Sequence, residues 1–224
     1  MHVEGVRHCW RGTDVGAGAV NAVRAARQAV GRTQAGLAAD VGVSGQTVAA
    51  GDDGPSDLRT PRLLLRRWRA SDRAPFAAMN ADPVVMEHFP APLTTEQSDA
   101  LVDRVEAHFD EHGYGLWAVE VDGAFVGFTG LVWQDYEASF TPALEVGWRL
   151  ARPAWGHGYA TEAATAALAR GLEVAGSVIS TTAVTNVRSQ RVMQRLGMRR
   201  ELEFDHPRVP EGHPVRPHVL YRAP

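Results

Sequence analysis

EVGWRLARPAWGHGYATEAATAALA, residues 145–169, reads as a strand, a tight loop and a helix in direct succession. Glu145, Gly147 and Arg149 alternate with Val146, Trp148 and Leu150, the period of two that a strand requires. Arg152-Pro153 breaks the pattern, because proline has no N–H for a ladder. Trp155-Gly156-His157-Gly158-Tyr159-Ala160 follows, then Thr161 and an alanine-rich run (Ala163, Ala164, Ala166, Ala167, Leu168, Ala169) of high helix propensity. Small residues at 156, 158 and 160 let the backbone approach a ligand closely. Successive amides at a helix N-terminus aim their donors and the positive end of the macrodipole at one spot. Residues 155–161 are therefore expected to hold an anion. The two common phosphate loops do not describe them: the nucleotide P-loop needs a lysine and the sequence has none, and Thr161 stands at the third glycine of a dinucleotide fingerprint.

Residues 155–160 resemble the Q/R-x-x-G-x-G/A signature of the GCN5-related N-acetyltransferases. Gly158 and Ala160 fill its small positions, and Trp155 stands where that family has a Gln or Arg able to contact phosphate. Leu58-Arg-Thr-Pro-Arg-Leu-Leu-Leu-Arg, Glu145-Val-Gly-Trp, Tyr159-Ala-Thr-Glu-Ala and Asn186-Val-Arg-Ser-Gln-Arg-Val-Met-Gln-Arg-Leu-Gly-Met are similar to the RimJ/RimL-type branch, over residues 58–222. The resemblance implies an α/β (mixed α+β) domain with a twisted central mixed sheet of about seven strands and helices on both faces. It implies acetyl-CoA as acyl donor, no metal, and direct transfer to a primary amine of a protein N-terminus or small molecule.

Acetylation of an amine by a thioester needs a bound donor, a deprotonated amine and stabilisation of the developing oxyanion. By resemblance, the amides of Trp155, Gly156, His157, Gly158, Tyr159, Ala160 and Thr161 hold the pyrophosphate. The strand edge Val146, Gly147, Trp148, Arg149 and Leu150 pairs with the pantetheine arm, and an amide near Val146 or Gly147 serves the acyl oxygen. Asn186 also touches that arm, while Ser189 protonates the departing thiolate. Glu145 is the expected base, acting through water. Two alternatives stay open: Glu145 as a structural carboxylate where the sheet splays, and Asn186 with Ser189 as a helix cap. Glu162, in the first turn, complements the helix dipole. Glu87, His88 and Phe89 are candidate acceptor contacts.

Residues 1–57 differ from the rest, holding 10 of the 22 glycines and five Arg against six Asp or Glu. Arg24–Asp52 resembles a Cro/repressor-type helix-turn-helix, with Thr33-Gln34, Leu37-Ala38, Gly42-Val43-Ser44 and Gln46-Thr47-Val48 in the corresponding places and Gly45 at a usual contact position. Its charge lacks the basic surface on which DNA affinity rests. The expected division is an extension over 1–57 and a catalytic domain over 58–224, joined by the turn-rich Gly51-Asp-Asp-Gly-Pro-Ser. The rival reading is an acyl-CoA-sensing regulator whose N-terminal helices bind DNA.

Elsewhere, Arg62–Trp68 reads as a first strand, and Ser71 as the cap of a helix carrying Phe76 and Met79 that Asp82-Pro83 ends. Thr94-x-x-Gln97 is a capping box for a helix with the stripe Leu101, Val102, Val105 and Phe109. Leu116–Val121 and Ala124–Trp133 form a hairpin about Asp122-Gly123. Val178–Thr185 is a strand, Arg188–Leu196 a helix stopped by Gly197, and Arg199–Phe204 and Pro217–Tyr221 two last strands. His206, His213 and His218 have 6 and 4 intervening residues, match no standard zinc spacing, and read as part of a loop near the acceptor. Net charge is −3 and Cys9 is the single cysteine, which leaves no intramolecular disulfide and no attraction to nucleic acid or membrane. With no apolar run near 18 residues and no signal-peptide pattern, the cytoplasm is expected.

Overall fold

In the computed structural model, residues 56–224 are described. The helix-turn-helix-like stretch and Cys9 lie outside the described residues. The Asp122-Gly123 turn joins β3 (Leu116–Val121) to β4 (Ala124–Gln134) as an antiparallel hairpin. Both turn residues have positive φ, 49° and 81°, the conformation that matches the twist of the flanking strands. On the far side of β4 lies β5 (Ala143–Leu150), antiparallel through eight residue pairs from Gly127↔Leu150 to Gln134↔Ala143. β6 (Val178–Ala183), β7 (Arg199–Asp205) and β8 (Pro217–Arg222) continue the sheet. The expected single strand over 62–68 is instead two short ones, β1 (Leu58–Arg59) and β2 (Leu64–Arg66), folded back on each other. The reversal is closed by Thr60, whose N–H donates to Leu63 O at 3.0 Å while its hydroxyl accepts from Leu63 N at 3.0 Å. Among the described residues the strand order is β1-β2-β3-β4-β5-β6-β8-β7, an eight-stranded mixed sheet in which only β5 and β6 run parallel.

Among the described residues, four α-helices flank the sheet. α1 (Arg73–Ala81) and α2 (Thr95–His112) lie over one face. Phe76 of α1 meets Phe128 of β4 edge to face at 6.0 Å between ring centres. α3 (Tyr159–Ala175) covers the other, where its Gly171 lies so near the sheet that a Cβ would come within 2.8 Å of Leu131 and 2.9 Å of Val178. Residues 128 and 131 are an odd number apart on one strand, so they point to opposite faces. α4 (Val187–Arg195) follows β6. The Thr94/Gln97 capping box opens α2: Gln97 N donates to Thr94 Oγ1 at 3.2 Å, and Thr94 N to Gln97 Oε1 at 2.9 Å. Ser71 does not cap α1. It lies in a 3-10 turn, Ala70–Asp72, and the Asp72 carboxylate instead accepts from Arg69 N at 2.8 Å and pairs with the buried Arg66.

Candidate active site

β5 and β6 pair only at Leu144↔Val178 and Glu145↔Ile179. Beyond that point β5 stays with β4 through Leu150, while β6 stays with β8 through Ala183. A wedge therefore opens between the two strands, and its edges carry backbone groups that no strand partner takes. Glu145 sits at the root. Its Oε1 accepts from the Thr181 amide at 2.8 Å and the Thr181 hydroxyl at 2.7 Å, and its Oε2 from Gln134 Nε2 at 2.6 Å. Burial raises the pKa above the ordinary carboxylate range and outweighs these donors, which favour the anion.

At the open end of β5, Trp155 donates its indole N–H to Leu150 O at 2.8 Å and so starts the loop in a fixed position. Gly156 and Gly158 take φ of 84° and 82°, a left-handed backbone that glycine adopts without Cβ strain. Gly158 is the N-cap of α3 and has no side chain to offer, so the amides of residues 159–161 meet no acceptor among the described residues. Sequence reasoning missed what braces this loop. Arg62 Nη1 donates to His157 O at 2.9 Å, Arg62 Nε to Glu162 Oε2 at 2.7 Å, and the Thr60 hydroxyl to Glu162 Oε1 at 2.6 Å. The Arg62 guanidinium also lies 4.8 Å from the centre of the Tyr159 ring. Burial raises the Glu162 pKa, but the Thr60 and Arg62 bonds prevail and the carboxylate is held below its ordinary range. Glu162 thus ties α3 to the start of the domain besides facing the helix dipole.

On the other edge, Asn186 caps α4: its Oδ1 accepts from Ser189 N at 3.1 Å, and its Nδ2 donates to Thr182 Oγ1 at 2.9 Å and Ser189 Oγ at 3.0 Å. Ser189 Oγ accepts that bond, which leaves its own proton to point elsewhere. Arg188, exposed in the first turn of α4, lies 4.8 Å above the Trp155 ring. His88 Nδ1 is 3.3 Å from Thr185 Oγ1, beside Asn186, while Phe89 packs 4.1 Å from the Arg149 guanidinium and Glu87 is exposed. The Arg149 side chain enters the core, donating to Asn80 Oδ1 at 2.6 Å, so only its backbone lies along the wedge. Of the three C-terminal histidines, His206 and His218 meet with ring centres 4.7 Å apart, and His213 turns back to accept from Val215 N at 3.3 Å. Among the described residues no group of three or more His, Cys, Asp or Glu is placed to hold a metal, and no helix is long and apolar enough to cross a membrane.

A parallel pair thus parts at a carboxylate, next to a glycine loop with an uncapped helix start. The chain belongs to the GNAT family: the acetyltransferase (GNAT) domain model matches residues 62–199. Among its relatives, the uncharacterized protein YkkB of Bacillus subtilis is 32% identical over 146 residues, covering 63% of this chain and 84% of YkkB. A solved GNAT-family acetyltransferase from Bacillus anthracis superposes with a TM-score of 0.60 at 27% identity, over 75% of this chain and 97% of that one. Mycobacterium smegmatis RimJ, solved in complex with CoA-disulfide, shares the fold with a TM-score of 0.57 at 20% identity, over 72% and 81% of the two chains.

Proposed function

We propose that residues 58–224 form an N-acetyltransferase unit that moves the acetyl group of acetyl-CoA directly to a primary amine, carried by a protein N-terminus or a small molecule. The observation that carries this reading is the wedge rooted at Glu145, which opens beside the uncapped amides of the 156–161 loop. Loop and helix-start amides are suited to the donor's pyrophosphate. The edge of residues 146–150, which has no strand partner on the wedge side and of which Trp155 takes only Leu150 O, is suited to the amide groups of its pantetheine arm, and an N–H at Val146 or Gly147 to the acyl oxygen as charge gathers there.

Glu145 receives the amine proton through water, its raised pKa placing it nearer neutral pH than an ordinary carboxylate. The amine nitrogen bonds to the acyl carbon, the carbon–sulfur bond breaks, and the Ser189 hydroxyl supplies the proton that the thiolate takes up, regaining one from water. His88 and Phe89 border the acceptor's approach.

The test is acetyl transfer, followed by mass spectrometry, from acetyl-CoA to a panel of peptides with free N-termini, polyamines, amino acids and aminoglycosides. Acetylation of one class identifies the acceptor. A protein that binds acetyl-CoA but modifies none of them overturns the amine-acceptor reading, and one that does not bind it overturns the donor reading.

A further inference from the structure

Trp155 occupies the position at which the signature has a side chain able to contact phosphate, and an indole cannot neutralise an anion. The space around it, however, contains a cation. The indole is pinned by its bond to Leu150 O, so its ring face is held at the end of β5. Arg188 reaches that face from the first turn of α4, its guanidinium 4.8 Å from the ring centre. Arg188 forms no ion pair with a carboxylate among the described residues, unlike Arg62, whose charge is taken by Glu162 at 2.6 Å. An exposed arginine normally samples many rotamers, and stacking on an aromatic face restricts it while leaving its N–H donors free at the edge. Leu150 ends one strand of the wedge and Arg188 follows the other, so the stacked pair bridges the open end, opposite the root at Glu145.

We propose that Arg188, shelved on the Trp155 indole, supplies the side-chain cation that grips a phosphate group of the acyl donor across from the 156–161 amides. This rests on the donor reading above and adds a residue to it. The shared chemistry is a phosphate oxyanion, from either the pyrophosphate or the 3′-phosphate of the donor. Arginine suits it through two parallel N–H donors, a geometry that a lone ammonium lacks.

Calorimetric titration of the full chain and its R188A variant with acetyl-CoA, acetyl-3′-dephospho-CoA and acetyl-pantetheine tests the assignment. R195A, which removes an exposed arginine from the last turn of the same helix, is the control. R188A is expected to bind acetyl-CoA at least about tenfold more weakly, the scale of one charge-assisted hydrogen bond, and acetyl-pantetheine as wild type does. A loss that persists with the dephospho donor assigns the pyrophosphate, and one that disappears assigns the 3′-phosphate. W155A should reproduce the weakening, because the guanidinium loses its shelf. Equal affinity of R188A and wild type, or equal losses in R188A and R195A, overturns the assignment while leaving the donor reading in place. Failure of the wild-type chain to bind acetyl-CoA overturns both.

Discussion

In the mechanism we propose, Glu145 carries two duties that pull on its charge in opposite directions. As a staple it accepts from Thr181 twice and from Gln134 once, and those donors prefer the anion; as a base it benefits from the burial that raises its pKa. E145Q separates them. A glutamine can still accept from the Thr181 amide, and a flip of the Gln134 amide removes the clash between two NH2 groups, so the sheet root stays closed. Turnover is expected to fall roughly 10²- to 10⁴-fold, the usual contribution of a positioned base. Acetyl-CoA affinity should barely change, and the rise of kcat with pH through the Glu145 ionisation should vanish. A pH–rate profile that survives E145Q would leave Glu145 as a staple alone.

Arg66 shows how elements are locked together beneath the site. Its guanidinium, 4% exposed, takes Asp72 through two bonds of 2.7 and 3.0 Å and Glu120 through one of 2.7 Å, joining β2, β3 and the turn that leads into α1. R66L would leave Asp72 buried without its cation, while Glu120 would still hold the exposed Arg69 at 2.8 Å. A loss of roughly 3–5 kcal/mol in urea unfolding is expected, against little change for R170A, whose pair with Glu173 is exposed. The legible elements were those whose signals are local. The capping box of α2, the Asp-Gly hairpin, the Asn186 cap and the glycine loop each lie within a few residues. What the sequence did not disclose depends on distant partners: Glu145 to Thr181 spans 36 residues, Arg66 to Glu120 54 and Arg62 to Glu162 100. Gln134, a polar residue ending an apolar strand, was the one available hint of a buried partner. Ser71 misled because it falls inside the 3-10 turn Ala70–Asp72, so that Asp72, one residue later, stands at the N-cap position before Arg73.

At the scale of the whole molecule, buried histidines set its response to acid. Burial, with His218, Arg208 and Arg216 nearby, lowers His206 to about 3, and burial beside His112 lowers His108 to about 4. The unfolded chain takes up these protons near pH 6.5 and the folded one does not, so stability is lost as pH falls below 6.5. Each histidine adds a slope of about 1.4 kcal/mol per pH unit, visible between pH 6 and 5 before most carboxylates titrate. Urea midpoints against pH should show this, and H206Q should remove its share. Deleting residues 1–55 is expected to retain folding and acetyl transfer, since it keeps Ser56, whose carbonyl accepts from the Trp117 indole at 2.7 Å. Activity assays of the shortened chain check this; its loss would make the preceding residues part of the enzyme. The strand order has a consequence in time. β8 follows β7 in the sequence, yet it lies between β6 and β7 and supports the β6 wall of the wedge. While residues 217–222 are still within the ribosome, β6 has no neighbour on that side and the cleft lacks a firm second wall. During synthesis the cleft should therefore gain its firm second wall only once residues 217–222 have emerged, later than the strands and helices that precede them in the sequence.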